Sequence, residues 1–411
     1  MTAKNGKGSA HSIVEQVVRS GYCAGCGLCA GLAPEAISLS EEAPGYLRPV
    51  VGARPSPAAE RVIAAACPGL VVAGWQDQNP VDPLWGPAQA FLTGAASDEN
   101  IRFGGSSGGV LTALLVDALT AGDIAGVLQI AMDPAEPTRN RWRISRTVAE
   151  IMEAAGSRYA PSAPLADIGA ILATGERLAF VGKPCDVSAL RRLAAIDSRV
   201  GERFAFMLSF FCAGIPSQRG TDRIIDALGL TGRKLVRFRY RGGGWPGYAL
   251  GETVDGEQAR MTYAESWGGI LSKEQQFRCK ICPDGIGGAA DLVCADAWYG
   301  DDKGYPDFSE AEGRSLVIPR TPLGQKLLDR AIANRNVTVQ PLDPREIERM
   351  QPFQARRRRE SRARHLALRL ALQPALRMDG LKLGEASRQI GTRQKLRAFA
   401  GTLRRILTGR R

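Results

Sequence analysis

The chain has 411 residues, 44% of them hydrophobic, so it is long enough to form two or three domains with buried cores. No run of about 18 apolar residues is free of charges, and residues 1–11 lack the apolar segment of a secretory signal, so we expect a cytoplasmic protein without a transmembrane helix. The net charge of +12 resides in residues 355–411, which hold 17 Lys and Arg against 3 Asp and Glu, whereas the rest of the chain holds 37 against 39.

Cysteine and histidine usage narrows the chemistry. Nine cysteines in a cytoplasmic chain favour metal or redox chemistry over a disulfide framework, because cytosolic thiols stay reduced. The two histidines, His11 and His365, lie outside the stretch that we expect to form the folded body. A histidine base or a histidine-rich zinc site is therefore disfavoured, and the chemistry is expected from thiolates and bound cofactors.

The N-terminal part divides into three segments. Residues 1–20 are polar, and we expect them to be disordered. Residues 21–75 are predicted to form a small, loop-rich module. Residues 76–86 are rich in Pro, Asp and Gln, which favours a linker to the main body.

The module at residues 21–75 carries three cysteines with two successive two-residue gaps, Cys23, Cys26 and Cys29. This spacing lets three thiolates surround one cuboidal iron–sulfur cluster, and the intervening glycines allow the backbone to approach it closely. Cys67, which precedes a proline, is the expected fourth ligand. A zinc knuckle is the alternative, although zinc sites usually pair two C-x2-C units across a longer gap.

From residue 88 onward, predicted strands and helices alternate, which indicates an α/β or α+β body with a mixed sheet over residues 88–345. The predicted strands cover residues 88–95, 124–131, 177–181, 204–211, 234–240, 248–253, 291–295, 315–318 and 337–340. The predicted helices cover residues 110–119, 187–194 and 216–228, the last with a proline near its first turn.

A glycine- and serine-rich loop leads directly into the first of these helices. It consists of Gly104, Gly105, Ser106, Ser107, Gly108 and Gly109. Its backbone N–H groups, its two hydroxyls and the helix N-terminus form a candidate anion site, with Arg102 as a nearby cation; a helix-capping turn is the alternative. The run Gly156-Ser157-Arg158-Tyr159 is a weaker candidate for holding a phosphate or a ring, and a surface turn is its alternative.

Five further cysteines follow in the body. Cys279 and Cys282 form a C-x2-C pair, Cys185 and Cys212 come just after predicted strands, and Cys294 lies within one. Because strand ends in an α/β sheet converge on one edge, Cys185 and Cys212 are placed to meet the pair in a second four-thiolate site. The alternatives are a structural zinc there, or small buried apolar roles for the three unpaired cysteines.

The last segment, residues 355–411, is called the basic tail below. It opens with four consecutive arginines at 356–359 and continues with two amphipathic helical stretches predicted at 363–372 and 393–407. The alternatives are a solvated, partly disordered extension or docking to an anionic membrane or acidic partner. Nucleic-acid binding is disfavoured, because few aromatic residues for base stacking lie near the basic runs.

In their order along the chain, these motifs resemble the coenzyme F420 hydrogenase/dehydrogenase beta-subunit family of iron–sulfur flavoproteins. The resemblance covers residues 20–345. The motifs that carry it are Cys23, Cys26 and Cys29 with Cys67-Pro68, and residues 103–115, 156–159, 180–185, 210–214, 279–284 and 290–296.

The resemblance implies an α/β flavin-binding body with a small ferredoxin-like iron–sulfur module, FAD, and one or two [4Fe–4S] clusters. It favours Cys185, Cys212, Cys279 and Cys282 as the second set of ligands and leaves out Cys294. It also implies that the glycine- and serine-rich loop contacts the flavin. The residues assigned to cofactor binding are Arg102, Gly104, Gly105, Ser106, Ser107, Gly108, Gly109, Ser157, Tyr159 and Lys183.

Members of this family pass electrons between an iron–sulfur partner, such as ferredoxin or another subunit, and a two-electron acceptor such as coenzyme F420 or a tetrapyrrole. The leading hypothesis is therefore an oxidoreductase that moves electrons through its clusters to FAD and a small organic acceptor, or in reverse. Asp296 is the predicted proton donor. The rivals are a non-catalytic electron-transfer subunit, and a zinc-bound interaction protein whose basic tail binds a membrane or nucleic acid.

Overall fold

The structure, a computed structural model, describes residues 11–75, 81–300 and 306–409. The α-helices of these residues are α1 (Ile13–Arg19), α2 (Leu28–Leu32), α3 (Pro57–Ala66), α4 (Glu99–Gly104), α5 (Val110–Thr120), α6 (Val148–Glu153), α7 (Ile168–Ala173), α8 (Pro184–Ala194), α9 (Ser198–Arg203), α10 (Gln218–Ala227), α11 (Phe277–Lys280), α12 (Pro322–Ala333), α13 (Ile347–Met350), α14 (Pro352–Leu370), α15 (Leu383–Arg388) and α16 (Thr392–Leu407). The strands are β1 (Ile37–Glu42), β2 (Tyr46–Val51), β3 (Val81–Asp82), β4 (Gly86–Pro87), β5 (Leu92–Ala96), β6 (Gly126–Met132), β7 (Asn140–Ser145), β8 (Leu178–Val181), β9 (Phe204–Phe210), β10 (Leu235–Arg239), β11 (Ala249–Thr253), β12 (Gln258–Met261), β13 (Leu292–Asp296), β14 (Ser315–Pro319) and β15 (Val337–Pro341).

An eight-stranded mixed sheet forms the centre of the body, in the order β15-β5-β14-β13-β9-β8-β6-β7. Strands β6, β8, β9 and β13 run parallel to one another, and the remaining neighbours pair antiparallel. Each of the nine predicted strands overlaps an observed one, so the predicted α/β body with a mixed sheet is confirmed.

Helices cover both faces of this sheet. Residues of α5 and α12 form one hydrophobic core with the strands, and residues of α7 and α8 form another on the opposite face. All residues of β8 and β14 are consequently buried, which explains their unbroken apolar sequences. Strands β10, β11 and β12 form a separate three-stranded sheet, in the order β10-β11-β12.

The N-terminal segment is more ordered than expected. Residues 13–19 form α1, where Ser12 and Glu15 make a reciprocal capping box, so the predicted disorder is wrong for this part. Residues 1–10 lie outside the described residues. The predicted linker is likewise packed where it is described, because Leu84 and Trp85 are 6% and 2% exposed, while residues 76–80 are not described.

The basic tail packs against the body. Helix α14 spans residues predicted to be partly solvated, yet Arg358 within it is 1% exposed. His365 is also buried, and one of its ring nitrogens lies 2.9 Å from the Ile281 carbonyl oxygen, so its predicted position outside the folded body is wrong. Among the described helices, none is long and apolar enough to cross a bilayer.

Candidate functional site

Four cysteines of the N-terminal module line one small cavity. This first cysteine set consists of Cys23, Cys26, Cys29 and Cys67. The first three lie around the turn that enters α2, where Gly25 and Gly27 have left-handed φ angles of 72° and 83°. A Cβ on Gly27 would lie 2.8 Å from the backbone nitrogen of Ala166, so glycine is required for the module to pack here. Cys67 directly follows α3.

The thiols of the first cysteine set influence one another. Burial raises the pKa of Cys67 to about 12, and the nearby Cys23 thiol contributes to this shift. Burial, together with Cys23 and Cys67, also raises the pKa of Cys29. The Gly25 N–H donates to Cys23 Sγ at 3.4 Å. Four buried thiols around one cavity have the number and the type of ligands that an iron–sulfur cluster or a zinc ion takes.

Four further cysteines line a second cavity. This second cysteine set consists of Cys185, Cys212, Cys279 and Cys282. Cys185 lies in the first turn of α8, Cys212 follows β9, and Cys279 belongs to α11. Burial, and next the Cys279 thiol, raise the pKa of Cys212 to about 12. The Ile215 N–H donates to Cys279 Sγ at 3.3 Å. The structure thus brings together four thiols from three segments that are far apart in the sequence.

Cys294 lies apart from both cysteine sets. It is part of β13 and belongs to the hydrophobic core on the α5 side of the sheet. Burial raises the pKa of its thiol to about 12. The described residues that line the two cysteine cavities do not include Cys294, and its exclusion from the second set stays a prediction.

A buried guanidinium lies between the two cysteine sets. Arg278 is 3% exposed, and its Nη2 donates to the Pro68 carbonyl oxygen at 2.8 Å. Its Nε and Nη1 have no hydrogen-bond partner among the described residues. Burial lowers the pKa of Arg278, but the thiols of the second cysteine set outweigh this effect and raise it. Arg278 thus places a buried guanidinium beside the thiols of the second cysteine set.

The two cysteine sets are adjacent. Ala24, on the turn of the first set, also lines the cavity of the second. The Gln276 side-chain nitrogen lies 3.5 Å from the Ala24 carbonyl oxygen and 3.6 Å from Cys279 Sγ. In the part of the chain that the structure describes, no three His, Cys, Asp or Glu side chains form a group that could hold a metal ion. The thiols of each set instead surround a cavity.

A pocket of about 240 Å³ opens at the carboxyl ends of the parallel strands β8, β9 and β13. One wall is the N-terminus of α5, which begins after Gly109 and has no side-chain cap. Cys212, Gly214 and Ile215 line both this pocket and the second cavity. A ligand in the pocket would therefore be separated from the second cysteine set by a single backbone segment.

The glycine- and serine-rich loop divides its residues between the pocket and the sheet. Ser106 Oγ is buried at the pocket and has no hydrogen-bond partner among the described residues. Ser107 Oγ donates to the Ala295 carbonyl oxygen at 3.1 Å. A Cβ on Gly108 would lie 2.6 Å from the Gly94 carbonyl oxygen. Ser106 is thus available to a ligand, whereas Ser107 and Gly108 fix the loop to the sheet.

Three residues assigned to the flavin, Arg102, Gly104 and Gly108, do not line the pocket. Arg102 Nε donates to the Gly313 carbonyl oxygen at 2.9 Å, and Nη2 pairs with Glu312 at 3.0 Å. Gly104 has open space around the position of a Cβ. The described residues that line the pocket include none of these three. The geometry therefore gives no support to a flavin contact by the Arg102 side chain.

Ser157, Tyr159 and Lys183 do line the pocket. Lys183 is 5% exposed, and its Nζ lies 2.7 Å from Asp186 Oδ2 and 2.9 Å from Ser162 Oγ. Burial lowers the pKa of Lys183, but the Asp186 carboxylate outweighs this effect and raises it. Lys183 and Asp186 thus form a buried ion pair in the pocket lining, and the N-terminus of α5 is the feature that favours an anionic ligand.

Asp296 is held in an ion pair at the pocket wall. Both Nη atoms of Arg241 lie 2.8 Å from its carboxylate oxygens, and Trp245 Nε1 donates to Oδ1 at 2.9 Å. The Arg241 guanidinium also stacks within 4.9 Å of the Tyr263 and Trp298 rings. These three hydrogen bonds commit both carboxylate oxygens of Asp296 to Arg241 and Trp245. The geometry thus argues against Asp296 as a proton donor and favours a role in positioning Arg241.

Sequence reasoning missed Arg241 and Gln129, which both line the pocket. Arg241 precedes three successive glycines, all with left-handed φ angles, and this unusual run is a sequence feature that could have drawn attention to it. Gln129 lies on β6 and donates to Ser145 Oγ at 3.0 Å. Arg158, which the second glycine motif includes, holds the backbone, since it donates to the Phe238 carbonyl oxygen at 2.6 Å.

Two family models of the coenzyme F420 hydrogenase/dehydrogenase beta subunit match the chain. The model of its C-terminal part matches residues 175–345, and the model of its N-terminal part matches residues 91–168.

Three curated proteins are also similar to the chain. The coenzyme F420 hydrogenase subunit beta of Methanosarcina barkeri is 24% identical over 268 residues, which are 64% of this chain and 85% of that protein. The coenzyme F420-dependent sulfite reductase of Methanocaldococcus jannaschii is 22% identical over 368 residues, or 85% of this chain and 52% of that protein. The chloroplastic 7-hydroxymethyl chlorophyll a reductase of Oryza sativa subsp. japonica is 24% identical over 226 residues, or 54% of this chain and 45% of that protein.

The fold is similar to that of a chain in the F420-reducing [NiFe] hydrogenase complex from Methanosarcina barkeri. The TM-score is 0.56 at 21% sequence identity, over 73% of this chain and 99% of that chain. This likeness shows that the mixed α/β architecture is shared.

Proposed function

Because the chain belongs to the coenzyme F420 hydrogenase/dehydrogenase beta-subunit family, we propose that it is an iron–sulfur flavoprotein oxidoreductase with two [4Fe–4S] clusters, FAD and an organic two-electron acceptor. Its relatives carry the names of a hydrogenase subunit, a sulfite reductase and a chlorophyll reductase, which are all oxidoreductases. The assignment of two clusters and FAD is supported by the arrangement of two adjacent cysteine sets and a pocket. Cys212, Gly214 and Ile215 border both the second cysteine set and the pocket.

We assign one [4Fe–4S] cluster to each cysteine set. Each set offers four thiols around one cavity, and the unused donors of Arg278 place positive charge between the two cavities. When bound, such clusters transfer single electrons, and a flavin exchanges electrons singly or in pairs. The residues around each cavity contribute by burying the thiols and by donating backbone N–H groups to sulfur, as Gly25 and Ile215 do.

The pocket is the proposed site of FAD. The N-terminus of α5 and the Ser106 hydroxyl offer uncommitted hydrogen-bond donors to a diphosphate, and the Lys183–Asp186 ion pair lies in the same lining. Tyr159 lines the same pocket and packs 4.7 Å from the Trp267 ring, which makes it a rigid wall for a planar group. Arg241, paired with Asp296, also lines the pocket.

The electron donor that we propose is ferredoxin or a partner subunit, because one relative is named as a hydrogenase subunit and the similar solved chain belongs to a hydrogenase complex. The acceptor is proposed to be a small organic molecule. A non-catalytic electron-transfer subunit is the second candidate, favoured by the relative named as a hydrogenase subunit.

Oxygen-free purification of the full chain tests this proposal. We expect a brown protein with about eight iron atoms and one FAD per chain. Replacing Cys26 or Cys282 by serine should remove roughly half of the iron, whereas Cys294→Ser should retain it, because Cys294 lies in neither set. A colourless protein that contains zinc would overturn the redox function. Turnover of candidate acceptors by the isolated chain then separates an enzyme from an electron-transfer subunit.

A further inference from the structure

The exposed side of α16 combines leucines with arginines. Positions three and four apart share one side of a helix, and on α16 one such side is exposed over its whole length. We call this side the docking face; it consists of Arg393, Leu396, Arg397, Ala400, Arg404 and Leu407. Leu396 is 61% exposed and Leu407 is 76% exposed. Two large aliphatic side chains thus stand in solvent with arginines beside them.

The opposite side of α16 is packed against the protein. Thr402 and Ile406 are buried, and Ile406 belongs to a hydrophobic cluster with Leu368 of α14, with Ile281 and with Cys23. Rotation of the helix to hide its leucines would expose this cluster to water. The docking face is therefore a fixed outer surface of the folded chain, close to the cysteine-bearing part.

The charge of this region has a single sign. Residues 386–411 contain eight Lys and Arg and no Asp or Glu. The same combination continues on α14, where Arg362, Leu366, Arg369 and Leu370 are exposed. The arginines of such a surface attract an extended, negatively charged surface. The leucines beside them can contact apolar groups of the same partner.

We propose that the docking face binds the anionic headgroups of a membrane surface, with its arginines at the level of the phosphates and Leu396 and Leu407 inserted below them. The long arginine side chains can reach the lipid phosphates while a neighbouring leucine lies at the edge of the acyl-chain region. A protein partner would need a separate pocket for each isolated leucine, and the face has none of the Trp, Tyr or Met typical of interface centres. Nucleic-acid phosphates give the exposed leucines no contact.

Vesicle flotation with the full chain tests this proposal. The chain should float with vesicles of phosphatidylcholine and phosphatidylglycerol and stay at the bottom with phosphatidylcholine alone. The arginine variant combines Arg393→Gln, Arg397→Gln and Arg404→Gln, and the leucine variant combines Leu396→Ser and Leu407→Ser. We expect affinity to fall roughly 100-fold in the first variant, since each basic residue contributes a factor of about five. In the second it should fall at least about tenfold, because buried apolar area is lost.

Two matched controls remove the same groups elsewhere. The charge control combines Arg237→Gln, Lys326→Gln and Arg345→Gln, all exposed cations outside the basic tail, and the apolar control combines Val254→Ser and Leu323→Ser. Both should float like the parent chain, and circular dichroism melts should show that all variants fold. Failure of the parent chain to bind anionic vesicles overturns the proposal. So does full binding by the leucine variant, which would indicate attraction by charge alone, as for an acidic protein or nucleic acid.

Discussion

The substitution Arg358→Met tests whether the basic tail is part of the folded body. Arg358 is 1% exposed, and its guanidinium donates to the carbonyl oxygens of Pro283 at 2.9 Å, Pro83 at 2.8 Å and Leu381 at 2.6 Å. It thereby joins α14 to the loop after Cys282 and to the turn between β3 and β4. Methionine preserves much of the apolar stem and removes all three donors.

The size of the effect follows from these contacts. A hydrogen bond from a charged donor contributes roughly 1.5–3 kcal/mol, so three of them contribute about 5–9 kcal/mol. Part of this is offset, because burial lowers the pKa of Arg358 to about 10, which corresponds to about 3 kcal/mol for keeping the group charged. We therefore expect the free energy of unfolding to fall by about 2–6 kcal/mol, a large share of the stability of an ordinary protein.

Urea unfolding followed by tryptophan fluorescence measures this change, because the Trp75 ring lies 4.4 Å from the Arg358 guanidinium. Arg356→Met is the matched control: this arginine is exposed on the same helix, and its loss should change stability by no more than about 0.5 kcal/mol. Equal unfolding curves for the two variants would refute this reasoning, because both arginines would be equally exposed only if the basic tail were solvated.

Three further predictions address the pocket, the clusters and the pH response. Gly108→Ala should destabilise the chain and lower its flavin content, because the new Cβ would lie 2.6 Å from a backbone oxygen. Gly104→Ala is the control: its Cβ meets nothing within 4 Å, so this variant should match the parent chain in thermal melts. Equal melting temperatures for the two variants would contradict this prediction. Arg278→Met should lower the reduction potential of the iron–sulfur centres in a titration followed by electron paramagnetic resonance, because a buried cation stabilises the reduced, more negative state; an unchanged potential argues against that role. Burial lowers the pKa of His365 from 6.5 to about 4, so its contribution to stability is complete above the unfolded pKa and is lost as the pH falls toward the folded one. When the pH falls from about 7.5 to about 5, the free energy of unfolding should decrease by about 2 kcal/mol less in His365→Gln than in the parent chain. Urea unfolding at the two pH values measures this difference, and equal decreases would contradict the prediction.

The sheet was predictable because burial leaves a clear pattern in the sequence. Strands such as β8 and β14 are buried on both faces, and their uninterrupted apolar runs reflect this directly. Strand β7 was not predicted, because it lies at the sheet edge and its sequence, with Arg141 and Arg143 beside Trp142, lacks such a run. Its pairing with β6 depends on tertiary position, which a local pattern does not contain.

The site was predictable to the level of residue type and strand end. Spacing singles out the first cysteine set, and the convergence of parallel strand ends explains why Cys185 and Cys212 meet the C-x2-C pair. Side-chain direction was not predictable. Ser106 and Ser107 are neighbours with the same hydroxyl, yet the first lies at the pocket without a described partner and the second holds the sheet.

The four arginines at 356–359 show why composition misled the prediction for the basic tail. Successive residues of a helix point in directions about 100° apart, so a continuous run is spread around the helix. Arg356 is exposed, Arg357 donates to the Cys212 and Ala213 carbonyl oxygens, Arg358 is buried, and Arg359 pairs with a glutamate. Only one of the four is therefore a solvated charge.

The second cysteine set also bears on biosynthesis. Its members come from segments separated by 27 residues, from Cys185 to Cys212, and by 67 residues, from Cys212 to Cys279. A cluster held by all four would close these loops and restrict the unfolded chain as a cross-link does, an effect of about 3–4 kcal/mol for loops of this size. The thiols meet only after β8 and β9 have paired with α8 between them, so cluster insertion would come late in folding. Resistance of the newly made chain to proteolysis would then depend on the supply of iron.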